Sequence, residues 1–186
     1  MRCVLFGFLS IFILAPAAAD DAALWDALAQ GGHVVLIRHA QTMPGAFDPP
    51  GHTLEDCNSQ RKLSDEGREQ ARRIGEAFRA RGIPVARILS SRYCRCLDTA
   101  ALAFGTVEPW DMLNNVGYDD DAEKQMKSEA VREAVSRWSS DGNLILVTHG
   151  FNIDSALRVH PVQGEMVVVQ PLGDDGYRVA GRLLAP

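Results

Sequence analysis

The sequence predicts an α/β fold with a mostly parallel central sheet. Three observations carry that expectation. Val34-Val35-Leu36-Ile37 and Leu144-Ile145-Leu146-Val147 are continuous aliphatic runs, the mark of strands covered on both faces. Amphipathic helical patterns lie between the runs, so strand and helix alternate along the chain. The 186 residues are 46% hydrophobic and 23% charged with a formal net charge of −5, the composition of one domain with a sizeable core. The same figures exclude disorder, collagen, a coiled coil and a nucleic-acid partner held by bulk positive charge.

Residues 1–19 stand apart. Met1-Arg2 is a short basic start, Val4 to Leu14 is almost wholly apolar, and Ala17-Ala18-Ala19 precedes Asp20-Asp21. This pattern reads as a secretory signal peptide cleaved after Ala19, leaving residues 20–186 as a single periplasmic or secreted domain. The apolar run is shorter than the roughly 20 residues that span a bilayer, and Pro16 breaks it, so no stable membrane insertion is expected after cleavage. Cys57, Cys94 and Cys96 remain, an odd number in an oxidising compartment. Cys94 and Cys96 stand too close for an unstrained bridge to each other, so Cys57 is expected to pair with one of them. A tetrahedral zinc site needs more ligands at closer spacing, and no metal is expected.

The elements follow in order. Asp20 and Asp21 can cap a helix running to about Gln30 and ended by Gly31-Gly32. The first strand is Val34–Ile37, and a Pro/Gly/Asp-rich loop covers about 43–60. Ser64 caps a helix whose first turn holds Asp65 and Glu66, where negative charge suits the dipole; Ala71, Ile74, Ala77 and Phe78 share its apolar face. Arg87–Ser90 reads as the second strand, followed by a helix over about 93–104. A loop through Pro109 leads to a helix near 121–139 with an expected stripe of Met126, Ala130, Ala134 and Trp138. Asn143 opens the third strand, and a helix follows Gly150. Met166–Val169 and Tyr177–Leu184 read as late strands around the Gly173–Gly176 turn.

Ligands of such folds bind beyond the carboxyl ends of the strands. The first strand ends in Arg38-His39-Ala40, the second in Ser90-Ser91 with Arg95 one helical turn later, the third in Thr148-His149-Gly150. Two arginines and two histidines therefore converge on one rim. Imidazole can be a nucleophile and arginine forks grip phosphate oxygens, so the set suits a phosphoryl group better than a metal. His33, His52 and His160 read as capping or core residues, Arg92 as a surface residue and Arg61 as a loop salt bridge.

Four segments resemble the histidine phosphatase superfamily, the phosphoglycerate-mutase-like proteins. Leu36-Ile37-Arg38-His39-Ala40 resembles its signature. Leu63-Ser64-Asp65-Glu66-Gly67-Arg68-Glu69-Gln70-Ala71 resembles its helix start, Ser90-Ser91-Arg92-Tyr93-Cys94-Arg95 through Thr99-Ala100 its arginine segment, and Val147-Thr148-His149-Gly150 its second-histidine motif. The resemblance implies a three-layer α/β/α architecture. It makes His39 the nucleophile that becomes a phosphohistidine, and it makes Arg38, Arg95 and His149 ligands of the phosphoryl group, with no cofactor. Asn152 is placed in the pocket or at the cap of the following helix.

The family's Glu proton donor has no counterpart in Leu113–Asp121. Glu165, Asp48 and Asp56, with Glu55 and Asp119, are the substitutes the sequence offers as general acid. The resemblance implies a hydrolase of small phosphomonoesters. A protein-phosphohistidine phosphatase, a mutase and a non-catalytic phosphate-binding module are the alternatives, and the oligomeric state stays open.

Overall fold

Six strands form one sheet in the order β3-β2-β4-β1-β5-β6. The structure is a computed structural model and describes residues 17–45 and 47–185. The apolar body of the expected signal peptide, residues 1–16, lies outside the described residues. Helix α1 (Ala17–Gln30) precedes β1 (Val34–Arg38); α2 (Asp65–Ala80), β2 (Val85–Ser90) and α3 (Cys94–Phe104) follow. A two-residue strand, β3 (Glu108–Pro109), leads to α4 (Asp121–Ser136), β4 (Asn143–Thr148), α5 (Gly150–Leu157), β5 (Met166–Pro171) and β6 (Tyr177–Leu183).

The expected mostly parallel sheet is borne out in part. The pairs β3–β2, β2–β4 and β4–β1 are parallel, but β1–β5 and β5–β6 are antiparallel. The reason is local: β6 follows β5 through a short 3-10 turn at Gly173–Asp175, which only antiparallel neighbours can use. The short β3 inside the loop through Pro109 escaped the sequence reading.

Alternation along the central strands sorts the core into two layers. Val35, Ile37, Ile145, Val147, Met166 and Val168 face α1, α2 and α3. Val34, Leu36, Leu144, Leu146, Val167 and Val169 face α4 and α5. All twelve are buried, each side chain stabilising the fold by about 1.5–3 kcal/mol relative to exposure. Helix α2 buries Ala71, Ile74, Ala77 and Phe78, as its spacing predicts. It comes unusually near its neighbours: a Cβ on Gly67 would lie 1.8 Å from the Gln41 carbonyl oxygen, and one on Gly75 would lie 1.9 Å from that of Ala103. The expected stripe of α4 is displaced. Its buried residues are Ser128, Val131 and Val135, while Met126 is half-exposed. Ser128 is satisfied inside by the Ser155 hydroxyl at 2.7 Å, a polar partner that counting apolar residues does not find.

The cysteines settle on one of the two pairings left open: Cys57 is bonded to Cys94, with their Cα atoms 5.7 Å apart. Cys96 is free and buried. The bridge fastens the 43–60 loop to the start of α3, where Gln60 Oε1 also accepts the Cys94 N–H at 2.9 Å. Closing a chain segment with a sequence separation of 37 contributes stability on the order of 2–4 kcal/mol. Paired Cys57→Ser and Cys94→Ser substitutions are therefore expected to lower the urea midpoint accordingly. Unchanged midpoints would show that the bridge is not formed in solution.

Candidate active site

Strand register builds the site. Arg38 at the end of β1 lies opposite Thr148 at the end of β4, and the His39 amide donates to the Thr148 carbonyl at 2.9 Å. On the other side of β4, the Ser91 amide donates to the Val147 carbonyl. His39, Ser91 and His149 therefore meet at one rim because β4 lies between β2 and β1. The two imidazoles pack edge to face with centroids 5.5 Å apart.

His39 is 2% exposed. Its Nδ1 lies 2.9 Å from the Ala40 carbonyl oxygen, which can only accept, so Nδ1 carries the proton and Nε2 keeps its lone pair. Burial, then Arg95, with Arg38 and Arg61 adding to it, pushes the His39 pKa down to about 3. The Ala40 amide is fixed in turn by Thr99 Oγ1 at 3.0 Å. The imidazole of His39 is thus neutral and oriented.

Arg95 is buried under the rim. Its Nη1 donates to Asp48 Oδ1 at 2.8 Å, its Nη2 reaches His149 Nδ1 at 3.3 Å, and its Cζ lies 4.5 Å from the Tyr93 ring centre. Arginine only donates, so His149 Nδ1 accepts and Nε2 holds the proton, 2.9 Å from Ser91 Oγ. Ser91 then donates to Asn114 Oδ1 at 3.2 Å. Burial, followed by Arg95 and His39, keeps the His149 pKa well below its ordinary value. Both nitrogens of His149 are occupied within the protein, and it contacts Arg95 from beside His39.

Arg38 donates from Nη1 to the Pro161 carbonyl at 2.9 Å, and Arg61 donates to that of Gly45. The expected loop salt bridge of Arg61 is absent among the described residues; the side chain instead lines a cavity of about 310 Å³ together with Arg38. Arg92 sits on the surface, 3.8 Å from Glu55 and 3.9 Å from Asp111. Among the described residues, the buried side-chain nitrogens and oxygens without a partner are Nε of Arg38, Arg61 and Arg95. Each of these three charges acts on His39. Three guanidinium charges acting on one buried imidazole concentrate positive potential there, which suits an anion.

The carboxyls the sequence offered as acids are committed elsewhere. Asp48 accepts from Arg95, from the Arg61 amide at 2.9 Å and from Tyr118 Oη at 2.9 Å. Burial alone would raise its pKa, but the Arg61 amide and Arg95 outweigh it and hold the carboxylate ionised. Glu165 takes a two-pronged ion pair from Arg182 at 2.6 and 2.7 Å and accepts the Val162 amide; these contacts outweigh burial and lower its pKa. Asp56 caps the Cys57–Ser59 turn, and Asp119 pairs with Lys127 at 2.6 Å. Asn152 turns away from the pocket: Oδ1 accepts the Val116 amide and Nδ2 donates to the Asn114 carbonyl at 2.8 Å. His33 Nδ1 donates to the Gly31 carbonyl at 2.8 Å, and His52 packs against both the Tyr93 and Tyr118 rings.

Two titratable residues of the cavity were not assigned to it from the sequence. Asp154 and His160 face each other at 3.3 Å and line the cavity of Arg38 and Arg61. Asp154 lies four residues after Gly150 on α5, and helical periodicity from the second histidine motif would have found it.

The family model of the histidine phosphatase superfamily (branch 1) matches residues 34–143. Solved structures share the fold. The mycobacterial glucosyl-3-phosphoglycerate phosphatase Rv2419c is 19% identical with a TM-score of 0.58, over 84% of this chain and 100% of that one. Rv3214 from Mycobacterium tuberculosis is 16% identical with a TM-score of 0.61, over 82% and 96%. The protein histidine phosphatase SixA complexed with tungstate is 14% identical with a TM-score of 0.54, over 82% and 97%. No curated protein sequence matches the chain.

A group buried neutral makes stability pH-dependent. The folded pKa of His39 is about 3, against about 6.5 in the unfolded chain, so between these values the unfolded state binds the extra proton. Stability therefore falls as pH drops from 6.5 toward 3. Urea midpoints measured from pH 7 to pH 4 should fall less steeply for His39→Asn than for the wild type; parallel curves would contradict a neutral buried His39.

Proposed function

The chain belongs to the histidine phosphatase superfamily, and on that premise we propose that it hydrolyses phosphomonoesters through a phosphohistidine on His39. The oriented neutral imidazole of His39, with the charges of Arg95, Arg38 and Arg61 acting on it, supports this most directly. Phosphoryl transfer spreads charge over the equatorial oxygens, and catalysis then rests on positioned cationic donors. In the first step the Nε2 lone pair attacks phosphorus while the ester P–O bond breaks. The departing oxygen takes a proton and leaves as the alcohol; Asp154 and His160 stand in the cavity where that proton is needed. In the second step a water oxygen attacks phosphorus, the N–P bond breaks, the water proton is released, and inorganic phosphate leaves. His39 returns to its neutral form, its Nδ1 proton held throughout by Ala40 O.

We propose that this chemistry takes place outside the cytoplasm. The signal-like pattern of residues 1–19 supports that reading, as does the Cys57–Cys94 bridge, a bond that oxidising compartments preserve.

His39→Ala is expected to lower turnover of 4-nitrophenyl phosphate by about three orders of magnitude or more. Acid quenching should trap a phosphoenzyme in the wild type, EDTA present or not, and none in the variant. Turnover that survives His39→Ala would remove the proposal.

A further inference from the structure

The cavity that holds Arg38 and Arg61 has an aromatic mouth. Phe47 is 66% exposed, Phe151 56% and Tyr118 42%, and all three line it. Large exposed rings are scattered singly on an ordinary surface; three around one concave, positively charged space mark a ligand site.

Each ring stands next to residues of the site, and those of Phe151 and Tyr118 are held by contacts of their own. Phe47 directly precedes Asp48, the carboxylate that holds Arg95. Phe151 follows Gly150, where an added Cβ would lie 3.3 Å from the Arg38 guanidinium carbon. The Phe151 ring lies so near Gly117 that a Cβ there would meet Cδ2 at 2.9 Å. Tyr118 donates its hydroxyl to Asp48 and stacks within 6.2 Å of Tyr93 at an angle of 14°. The mouth is therefore set at a defined place relative to the phosphate-binding arginines.

Two of the polar groups beside these rings have partners within the protein. Asn115 Oδ1 accepts the Gly117 amide, and Asp154 faces His160. A flat ester group finds ring faces here.

We propose that the ester group of the substrate is an aromatic ring seated between Phe47 and Phe151, so that the substrate is a small free aryl phosphate. The proposal rests on the phosphomonoesterase reading for the place of the phosphoryl group at Arg38 and Arg61. A cavity of about 310 Å³ suits one ring and one phosphoryl group.

Calorimetric titration with non-hydrolysable phosphonates tests this without any turnover. Benzylphosphonate is expected to bind the wild type at least about tenfold more tightly than 2,3-dihydroxypropylphosphonate. In the Phe47→Ala, Phe151→Ala double variant that ratio should fall to near one. Equal affinities in the wild type overturn the proposal, whatever the stability of the variant. A ratio that survives in a folded double variant overturns it too. An aromatic preference in a protein that shows no His39-dependent hydrolysis would sink the phosphatase reading and leave the aryl site standing.

Discussion

Everything at this site depends on one buried ion pair, Arg95 with Asp48. A guanidinium that is 1% exposed needs a carboxylate, because an unpaired charge inside a protein costs far more than folding can spare. Asp48 meets that need from the 43–60 loop, and in doing so it collects the Arg61 amide and the Tyr118 hydroxyl. The pair thus gathers α3, the loop and the Val116–Tyr118 turn around His39. One carboxylate set against Arg38, Arg61 and Arg95 leaves a surplus of positive charge. Burial first, and that surplus with it, keeps both histidines neutral, so the field suited to an anion also leaves the His39 Nε2 lone pair unprotonated.

The sheet supplies the complementary half. Parallel pairing of β1 with β4 and of β4 with β2 brings three chain ends to one level. Helix α2 then closes on the turn after His39 without a side chain between them, since Gly67 lies against the Gln41 carbonyl. The Ala40 backbone that positions the imidazole is consequently bounded by β4, Thr99 and α2. A loop nucleophile acquires the rigidity of the elements around it.

Much of this was legible in the sequence. Continuous aliphatic runs announced β1 and β4, and the residues at their ends announced His39, Arg38 and His149. What escaped had no periodicity to betray it. Asp48 is one acid among several in an irregular loop, and only tertiary contact shows that it is the partner of Arg95. Arg61 looked like an ordinary loop charge because its orphaned Nε exists only in the folded arrangement. Asn152 follows the second histidine closely enough to look functional, yet its amide is spent on the backbone of Val116 and Asn114. Cys94 and Cys96 were indistinguishable by number; on a helix, two residues turn the second thiol away from the loop and toward Thr148 and His149. The stripe of α4 failed differently, since Ser128 belongs to the core through Ser155 and carries no apolar label.

The three unsatisfied Nε groups have a further consequence. Donors arranged for the oxygens of a phosphoryl group do not distinguish one attached to an ester from one that has just been freed. In the proposed reaction inorganic phosphate would be a ligand of the same site and would leave against the same attraction, so the escape of the product would compete with the arrival of the next ester. The pace of such an enzyme is then tied to the phosphate content of its surroundings: it runs freely where phosphate is scarce and slows as phosphate accumulates, a feedback that needs no second site.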